Sequence, residues 1–314
     1  MINGILNIYK EKGYTSHDVV ARLRKITGQK KIGHTGTLDP DAEGVLPVCL
    51  GRATKVCDML TDRDKTYRTV LLLGKTTDTQ DISGKVLSEK DTEGISTETV
   101  LECVRGFVGE YDQIPPMYSA LKINGRKLYE LAREGKTVER KSRRVMIREI
   151  NIEKTELPRV YMKVSCSKGT YIRTLCHDIG ERLGTGGCME QLVRTRAGSF
   201  DISGSHRIEE VAEAAADGRI EEYLIPLDSV FEGMRKITVK GRYASKAYNG
   251  NPLPARAAEE REDFRSGEQY RVYDVQGHFI GVYRYSAGGA ERFTLEKMFL
   301  DPEELSAGSG GLKG

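Results

Sequence analysis

Residues 33–44 read Gly33-His34-Thr35-Gly36-Thr37-Leu38-Asp39-Pro40-Asp41-Ala42-Glu43-Gly44. The stretch places one imidazole and three carboxyl groups among three glycines, which permit tight turns and close backbone approach. A calcium loop is one interpretation, because Asp39, Asp41 and Glu43 match its first, third and fifth positions. Its twelfth position is Leu50, however, where calcium requires a bidentate glutamate. The alternative is an ionised Asp39 that attacks an electron-poor carbon or removes a proton.

A carboxylate enclosed in protein needs a nearby cation, because burial alone favours its neutral form. Arg173 is a candidate, since a guanidinium remains protonated and its forked donors match a carboxylate. Composition alone favours roles without any chemistry, with Asp39 as a turn residue before a proline and Arg173 as a charge on a helix surface. The order of residues in the loop favours the catalytic interpretation.

The chain has 314 residues, of which 38% are hydrophobic, and this is enough for about two domains with packed cores. Such a composition argues against an intrinsically disordered chain. No apolar run approaches the ~18 residues that cross a bilayer. The first residues also lack the basic segment and cleavage site of a signal peptide. We therefore expect a cytoplasmic protein without a membrane-spanning segment.

The net charge of +3 hides a local concentration of positive charge. Residues 122–148 contain ten lysines and arginines but only three glutamates, so the rest of the chain is net negative. Such a segment can neutralise the phosphates of a nucleic acid. A solvated helix face is the alternative explanation.

Other motifs that could define a function are incomplete. The six cysteines form no C-x-x-C pair that would suggest zinc or a redox couple, so we expect free, mostly buried thiols. Gly74-Lys75-Thr76 resembles the end of a phosphate-binding P-loop, but Thr69 stands where that loop needs a glycine. A cysteine that attacks a pyrimidine for methyl transfer would need a cofactor site, and no strand-associated glycine-rich fingerprint is present.

Hydrophobic periodicity predicts a first domain of mixed strands and helices. Residues 5–9 and 160–166 have strand patterns, and a helix capped by Ser16 carries apolar residues at helical spacing. After residue 234 the composition becomes β-like, with a hairpin over residues 270–285. Residues 306–314 read as a flexible Gly/Ser tail.

The loop at residues 33–40 and its continuations at residues 44–47 and 51–55 resemble the signature of the TruB family of tRNA pseudouridine synthases. Further matches follow in the family's order, at residues 64–68, 114–122, 166–173 and 192–194. Together the matches cover about residues 2–230. One departure is Glu11, because the family's first motif usually has a proline after the lysine.

The resemblance implies an α+β fold, with a mixed, largely antiparallel sheet flanked by helices. A catalytic pseudouridine synthase domain would span residues 1–234, with a basic arm inserted at about residues 114–148. A small β-rich, PUA-like RNA-binding domain would follow over residues 235–305, and the flexible tail over residues 306–314.

The resemblance also implies roles for individual residues. Asp39 would be the catalytic aspartate, Tyr67 the tyrosine that stacks on the target base, and Arg173 the partner of the carboxylate. His34 would wedge into the T-loop, and Leu192 would line the pocket. The full set of expected RNA-binding residues is His34, Tyr171, Leu192, Lys10, Lys122, Arg140, Lys141, Arg143 and Arg144.

The implied reaction isomerises uridine 55 in the T-loop of tRNA. The base is flipped out, the C1′–N1 bond breaks, the base rotates, and C1′ joins C5. Because nothing is oxidised or transferred from another molecule, we expect no cofactor and no metal. We also expect a monomer whose partner is the T-arm of tRNA. Residue types leave open whether Asp39 forms an ester at C1′ or removes a ribose proton toward a glycal.

Two other functional classes are also consistent with the sequence. A tRNA-binding or chaperone module could keep the same scaffold, although binding alone needs no carboxylate beside phosphates. A metal-dependent hydrolase could use His34, Asp39 and Asp41, although these residues lack the i, i+4 ligand spacing on a helix.

Overall fold

The computed structural model describes residues 1–260 and 263–300. Its strands, numbered in chain order, are β1 (Gly4–Lys10), β2 (Ile32–His34), β3 (Glu43–Leu50), β4 (Lys65–Leu73), β5 (Lys75–Thr77), β6 (Val86–Glu89), β7 (Gly109–Gln113), β8 (Lys122–Ile123), β9 (Arg126–Lys127), β10 (Arg143–Glu156), β11 (Arg159–Cys166), β12 (Gly187–Ala197), β13 (Phe200–Asp201), β14 (Leu224–Ile225), β15 (Arg235–Thr238), β16 (Leu253–Pro254), β17 (Gln269–Tyr273), β18 (Phe279–Ser286) and β19 (Arg292–Met298). Its α-helices are α1 (Ser16–Thr27), α2 (Cys57–Thr61), α3 (Thr97–Arg105), α4 (Leu128–Arg133), α5 (Ile172–Arg182), α6 (Ile208–Ala216) and α7 (Ala244–Tyr248).

The chain divides into two compact units. The larger unit contains Met1–Ile2, Leu6–Leu50 and Val56–Leu224. The smaller unit contains Asn3–Ile5, Gly51–Lys55 and the described residues from Ile225 onward. The boundary expected after residue 234 therefore lies inside the smaller unit. The expected tail at residues 306–314 lies outside the described residues.

A ten-stranded mixed sheet forms the centre of the larger unit, in the order β14-β1-β3-β12-β4-β11-β10-β7, with β2 paired to β3 and β13 to β12. Neighbours from β12 to β7 run antiparallel, whereas β3 and β12 run parallel. Helix α5 packs against β12 and β4 and buries Leu175 and Ile179 in the core. The predicted α+β class with a mixed, largely antiparallel sheet is confirmed.

Helix α1 begins differently from the prediction. Thr15 is its N-cap, and Thr15 and Asp18 form a reciprocal capping box. The expected cap, Ser16, is already inside the helix, and its hydroxyl bonds to the backbone of Leu38 instead. The reason is local, because the reciprocal pair needs an acidic residue three positions after the cap and only Thr15 has one.

The expected arm at about residues 114–148 contains the short hairpin β8–β9 and helix α4. Its last residues, however, belong to the sheet, because β10 begins at Arg143 and pairs with β7. The excursion from the sheet therefore ends before Arg143.

The smaller unit contains a five-stranded sheet in the order β15-β17-β18-β19-β16. Strands β17 and β18 form the antiparallel hairpin that the sequence predicted. Tyr270, Tyr283 and Phe293 are fully buried in its core. Within the described residues, no helix has both the length and the apolar character needed to cross a bilayer.

Candidate active site

Asp39 lies in the loop between β2 and β3, and its side chain meets that of Arg173 at the start of α5. The distance between Oδ2 of Asp39 and Nη2 of Arg173 is 3.5 Å. The Arg173 side chain is 6% exposed, whereas that of Asp39 is 41% exposed. A buried cation thus holds one side of the carboxylate, and the other side remains open to an incoming group.

Arg173 also contacts a second carboxylate that the sequence analysis did not identify. Its Nη1 lies 3.7 Å from Oδ2 of Asp81, and its Nη2 donates a hydrogen bond to the backbone carbonyl of Tyr118. The other oxygen of Asp81, Oδ1, accepts hydrogen bonds from Thr79 and Ser83. Asp81 is therefore fixed by its own turn and can orient the guanidinium toward Asp39.

Arg194 on β12 forms hydrogen bonds with the backbone of the Asp39 loop and of the strand that follows it. This side chain is 2% exposed, and its guanidinium donates to three backbone carbonyls. The donor–acceptor distances are 2.7 Å to Val45, 3.2 Å to Gly36 and 3.4 Å to Thr37. A buried guanidinium is costly unless its donors are used, so this arrangement ties the position of the loop to strand β12.

Gly44 explains how β12 can approach the loop so closely. It has a φ of +105° and is the parallel partner of Arg194. A Cβ at Gly44 would lie 2.2 Å from the carbonyl oxygen of Arg194, a distance at which atoms overlap. Only glycine therefore fits at this position.

Two other buried side chains fix the centre of the loop. The Ser16 hydroxyl accepts from the Leu38 backbone N–H at 2.9 Å and lies 3.2 Å from the Leu38 carbonyl, to which it donates. The Lys10 ammonium donates to the carbonyls of Pro40, Tyr14 and Glu11. Asp39 thus stands between two residues whose backbone is anchored.

Lys10 differs from its expected role in RNA binding. Its side chain is fully buried, and burial lowers the pKa of its ammonium to about 8. The backbone carbonyls that surround it leave it no access to a phosphate. We therefore interpret Lys10 as a residue that positions the loop.

Tyr67 lies on β4 between Val164 of β11 and Arg194 of β12. It is 9% exposed. Burial raises the pKa of its phenol, while the Arg194 guanidinium partly opposes this shift. The phenol is therefore protonated at neutral pH.

The remaining expected contact residues near the loop differ in exposure. The partly buried His34 ring packs edge-on against His17, with ring centroids 5.6 Å apart, and its Nδ1 accepts from the Gly36 N–H. Burial lowers the pKa of His34, so the ring is neutral at pH 7. Leu192 is partly buried against the core, and the Tyr171 ring lies beside Arg173, 5.9 Å from its guanidinium carbon.

Most of the expected basic contact residues of the arm surround one cavity of about 290 Å³. Lys122, Arg140, Lys141 and Arg143 line it together with Pro115, Leu121, Ile123, Leu128 and Glu139. Arg144 is placed differently, because Glu110 and Asp112 each lie 3.2 Å from its guanidinium. Its charge is offset by these two carboxylates.

The described residues contain no group of three or more histidine, cysteine, aspartate or glutamate side chains arranged to hold a metal ion. Asp39, Asp41 and Glu43 therefore do not converge as calcium ligands would.

The fold of the chain matches chains in two solved structures. A crystal structure of a Cbf5-Nop10-Gar1 complex matches with a TM-score of 0.70 at 25% identity, over 96% of this chain and 86% of that one. The structure of an H/ACA RNP bound to a substrate RNA containing 2′-deoxyuridine matches with a TM-score of 0.69 at 23% identity, over 95% and 85%.

Sequence comparison identifies the particular family. The model for the N-terminal domain of TruB family pseudouridylate synthases matches residues 24–172, and that for the C-terminal domain of tRNA pseudouridylate synthase B matches residues 173–232. The tRNA pseudouridine synthase B of Lachnoclostridium phytofermentans is 52% identical over 90% of this chain and 95% of its own length. That of Clostridium perfringens is 44% identical over 96% and 100%. The chain belongs to the TruB family, whose members are isomerases that convert uridine to pseudouridine.

Proposed function

We propose that this protein isomerises uridine 55 in the T-loop of tRNA. The observation that carries the proposal is the half-open Asp39 carboxylate, paired with a buried guanidinium and held in an anchored loop. A module that only binds tRNA gains nothing from this arrangement, since an exposed carboxylate repels phosphates. The related proteins named tRNA pseudouridine synthase B support the choice of substrate.

Asp39 provides the negatively charged oxygen that the reaction needs. Arg173 favours the ionised form of the carboxylate when the RNA excludes water. The exposed oxygen can then attack C1′ or remove a ribose proton. Either route breaks the C1′–N1 bond, and after the base rotates, C5 bonds to C1′, C5 loses its proton and N1 gains one. In the ester route the bond between Asp39 and C1′ breaks as C5 bonds to C1′, and in the glycal route Asp39 returns the proton to the ribose. No atom is imported.

Tyr67 forms one wall of the base pocket in this proposal. A flat phenol can stack on a uracil, which is worth about 1–3 kcal/mol in comparable sites. Because burial raises its pKa, the phenol is a poor acceptor of the C5 proton at neutral pH. The contact role is thus favoured over a role as the base.

His34, Tyr171 and Leu192 complete the contacts with the T-loop. Flipping a base leaves a gap in the stack, and the neutral imidazole of His34 can fill it without the cost of burying a charge. Leu192 contributes apolar surface to the pocket. Tyr171 lies beside Arg173 and can contact the same nucleotide.

The arm supplies phosphate contacts. Lys122, Arg140, Lys141 and Arg143 surround one cavity, so their charges act on the same region of the ligand. Arg144 contributes less, because two carboxylates already compensate its charge. The smaller unit would act as the additional RNA-binding domain. We further propose that the enzyme works in the cytoplasm as a monomer, without a cofactor.

The proposal is tested by tritium release from tRNA labelled at uracil C5, comparing the wild type with Asp39→Asn. This substitution keeps the shape of the side chain and removes its charge. Asp41→Asn is the matched control, because Asp41 is an exposed aspartate of the same loop. We expect release to be abolished in Asp39→Asn and close to wild type in Asp41→Asn, with tRNA binding retained in both.

Comparable turnover by Asp39→Asn would contradict the chemistry. Pseudouridine at another position, located by mapping the modified tRNA, would contradict the assignment to uridine 55. Binding of tRNA without turnover by the wild-type protein would favour the chaperone alternative.

A further inference from the structure

Two of the six free cysteines, Cys49 and Cys57, lie next to each other although seven residues separate them in the sequence. Cys49 is on β3 and is fully buried. Cys57 begins α2 and is partly exposed. Their spacing matches no redox motif, which is why the sequence predicts only free thiols.

Gly33 shows how close the two thiols are. It is the antiparallel partner of Cys49 in the β2–β3 pair, so their Cα–Cβ directions point to the same face of the sheet, about 5 Å apart. A Cβ on Gly33 would lie 3.3 Å from the sulfur of Cys57. The sulfur of Cys57 therefore occupies the space that a side chain at position 33 would fill, directly beside the side chain of Cys49.

The two sulfurs also interact electrostatically. The interaction with the neighbouring Cys49 thiol lowers the pKa of Cys57, and the interaction with Cys57, together with burial, raises the pKa of Cys49. Cys57 is thus the more readily ionised and the more accessible member. Cys49 keeps its proton. This asymmetry is typical of pairs in which one cysteine attacks and the other resolves.

We propose that Cys49 and Cys57 form an oxidation-sensitive dithiol, and that their disulfide alters the strand that carries His34. The chemical class of the reactant is a two-electron oxidant such as hydrogen peroxide. The Cys57 thiolate attacks one peroxide oxygen, the O–O bond breaks, hydroxide leaves, and Cys57 becomes a sulfenic acid. The Cys49 thiol then attacks that sulfur, an S–S bond forms, and water leaves with the Cys49 proton. In total, two thiols and one peroxide give one disulfide and two waters.

The consequence for RNA binding follows from the position of the pair and rests on the proposed function. Gly33 precedes His34, and β2 is only three residues long. An S–S bond of about 2 Å requires the two sulfurs to approach beyond van der Waals contact. Because the sulfur of Cys57 lies against Gly33 of β2, we expect this approach to change the packing on that face of β2 and to displace the adjoining His34.

The first experiment treats the reduced, full-length protein with hydrogen peroxide, blocks the remaining thiols with N-ethylmaleimide, and maps non-reduced peptides by mass spectrometry. We expect two thiols to be lost together, in a Cys49–Cys57 disulfide that dithiothreitol reverses. Cys57→Ser should lose this reaction. Cys103→Ser is the matched control, because Cys103 is also partly exposed but burial raises its pKa, and this variant should still form the disulfide.

Absence of the Cys49–Cys57 peptide, or oxidation of Cys57 to a sulfinic acid in its place, would overturn the dithiol. The second experiment compares tRNA affinity of the oxidised and reduced protein, and we expect weaker binding after oxidation that dithiothreitol restores. Unchanged affinity in a protein shown to contain the disulfide would overturn the link to His34. Because peptide mapping requires no RNA, failure of the proposed function would be seen separately, as a lack of tRNA binding by the reduced protein.

Discussion

The strongest test of the site's architecture is Arg194→Lys. Three separate nitrogens of the guanidinium contact Val45, Gly36 and Thr37. Lysine keeps the positive charge, but its one compact ammonium cannot occupy all three nitrogen positions, and we expect it to keep one of the three contacts. A hydrogen bond from a charged donor contributes about 1.5–3 kcal/mol, and the bond to Thr37, at 3.4 Å, is long and weak. Losing one good and one weak bond should therefore cost about 2–4 kcal/mol. No discount for solvent applies, because Arg194 is buried.

This free energy can appear in two measurements. If the loop keeps its position, the loss lowers the free energy of unfolding in urea by about 2–4 kcal/mol. If the loop shifts, the loss appears in single-turnover tritium release, where the same range corresponds to a decrease of about 30-fold to 1000-fold. The free energy of unfolding and the single-turnover rate should be measured on the same preparation, and their two losses together should amount to about 2–4 kcal/mol.

Arg196→Lys is the control, because Arg196 lies two residues further along β12 and is exposed. An exposed substitution of this kind changes stability by less than about 0.5 kcal/mol. If Arg194→Lys matched Arg196→Lys in both stability and turnover, the inference that Arg194 holds the loop would be wrong.

Four further predictions use other features of the site. Asp81→Asn should lower turnover about tenfold to hundredfold with little change in tRNA affinity, because it removes the carboxylate charge that, with Asp39, orients Arg173. A change in tRNA affinity without a change in turnover would contradict this role. Gly44→Ala should lower the free energy of unfolding by about 3 kcal/mol or more, because its Cβ would overlap with the Arg194 backbone. Gly13 has a φ of +88° but open space around it, so Gly13→Ala should cost only about 1 kcal/mol. Equal losses in the two variants would reject the packing explanation. Because burial lowers the pKa of Lys10 to about 8, the unfolded chain binds more protons than the folded one between about pH 8 and 10.5, so this residue makes stability rise with pH there. Lys10→Met should reduce the slope of the free energy of unfolding against pH by the contribution of one proton, measured by urea unfolding at several pH values. The same slope in the variant and the wild type would show that burial does not lower the pKa of Lys10. Replacing Lys141 and Arg143 with glutamine should reduce the slope of log K for tRNA binding against log salt concentration by about 1.5, at roughly 0.7–0.9 per phosphate contact. Arg144→Gln should change this slope less, because two carboxylates compensate the charge of Arg144. The reverse order would contradict the proposal that the arm binds phosphates.

Local patterns predicted some elements well because their signals are short-range. The hairpin of β17 and β18 was predicted from alternating residues around a glycine turn, and the strand pairing has that form. The start of α1 was misplaced by one residue, because Thr15 and Ser16 are both good caps and only the reciprocal bond with Asp18 distinguishes them. The end of the basic arm was placed too late, because charge does not show that Arg143 has entered a strand.

Residues of the site were predicted when they belonged to a recognisable motif. Asp39 and Arg173 were chosen for complementary chemistry and lie 3.5 Å apart. Asp81 was not identified, because an aspartate in a polar turn has no local signal that it will meet a guanidinium. Lys10 was expected to bind RNA because of the family resemblance, and no local pattern shows that backbone carbonyls from separate parts of the chain enclose it.

The sequence by itself determined the family, the mixed α+β class and the loop that contains the proposed catalytic carboxylate, because those depend on the order and periodicity of neighbouring residues. Only the tertiary structure decided what holds the carboxylate in place. Arg194 reaches Val45 across 149 positions of the chain, and it can do so because β3 and β12 pair in parallel with Gly44 opposite Arg194. The same kind of pairing sets Cys49 against Gly33 and so beside Cys57. The register between distant strands is set by the packing of the whole sheet, and no local stretch of sequence contains that information.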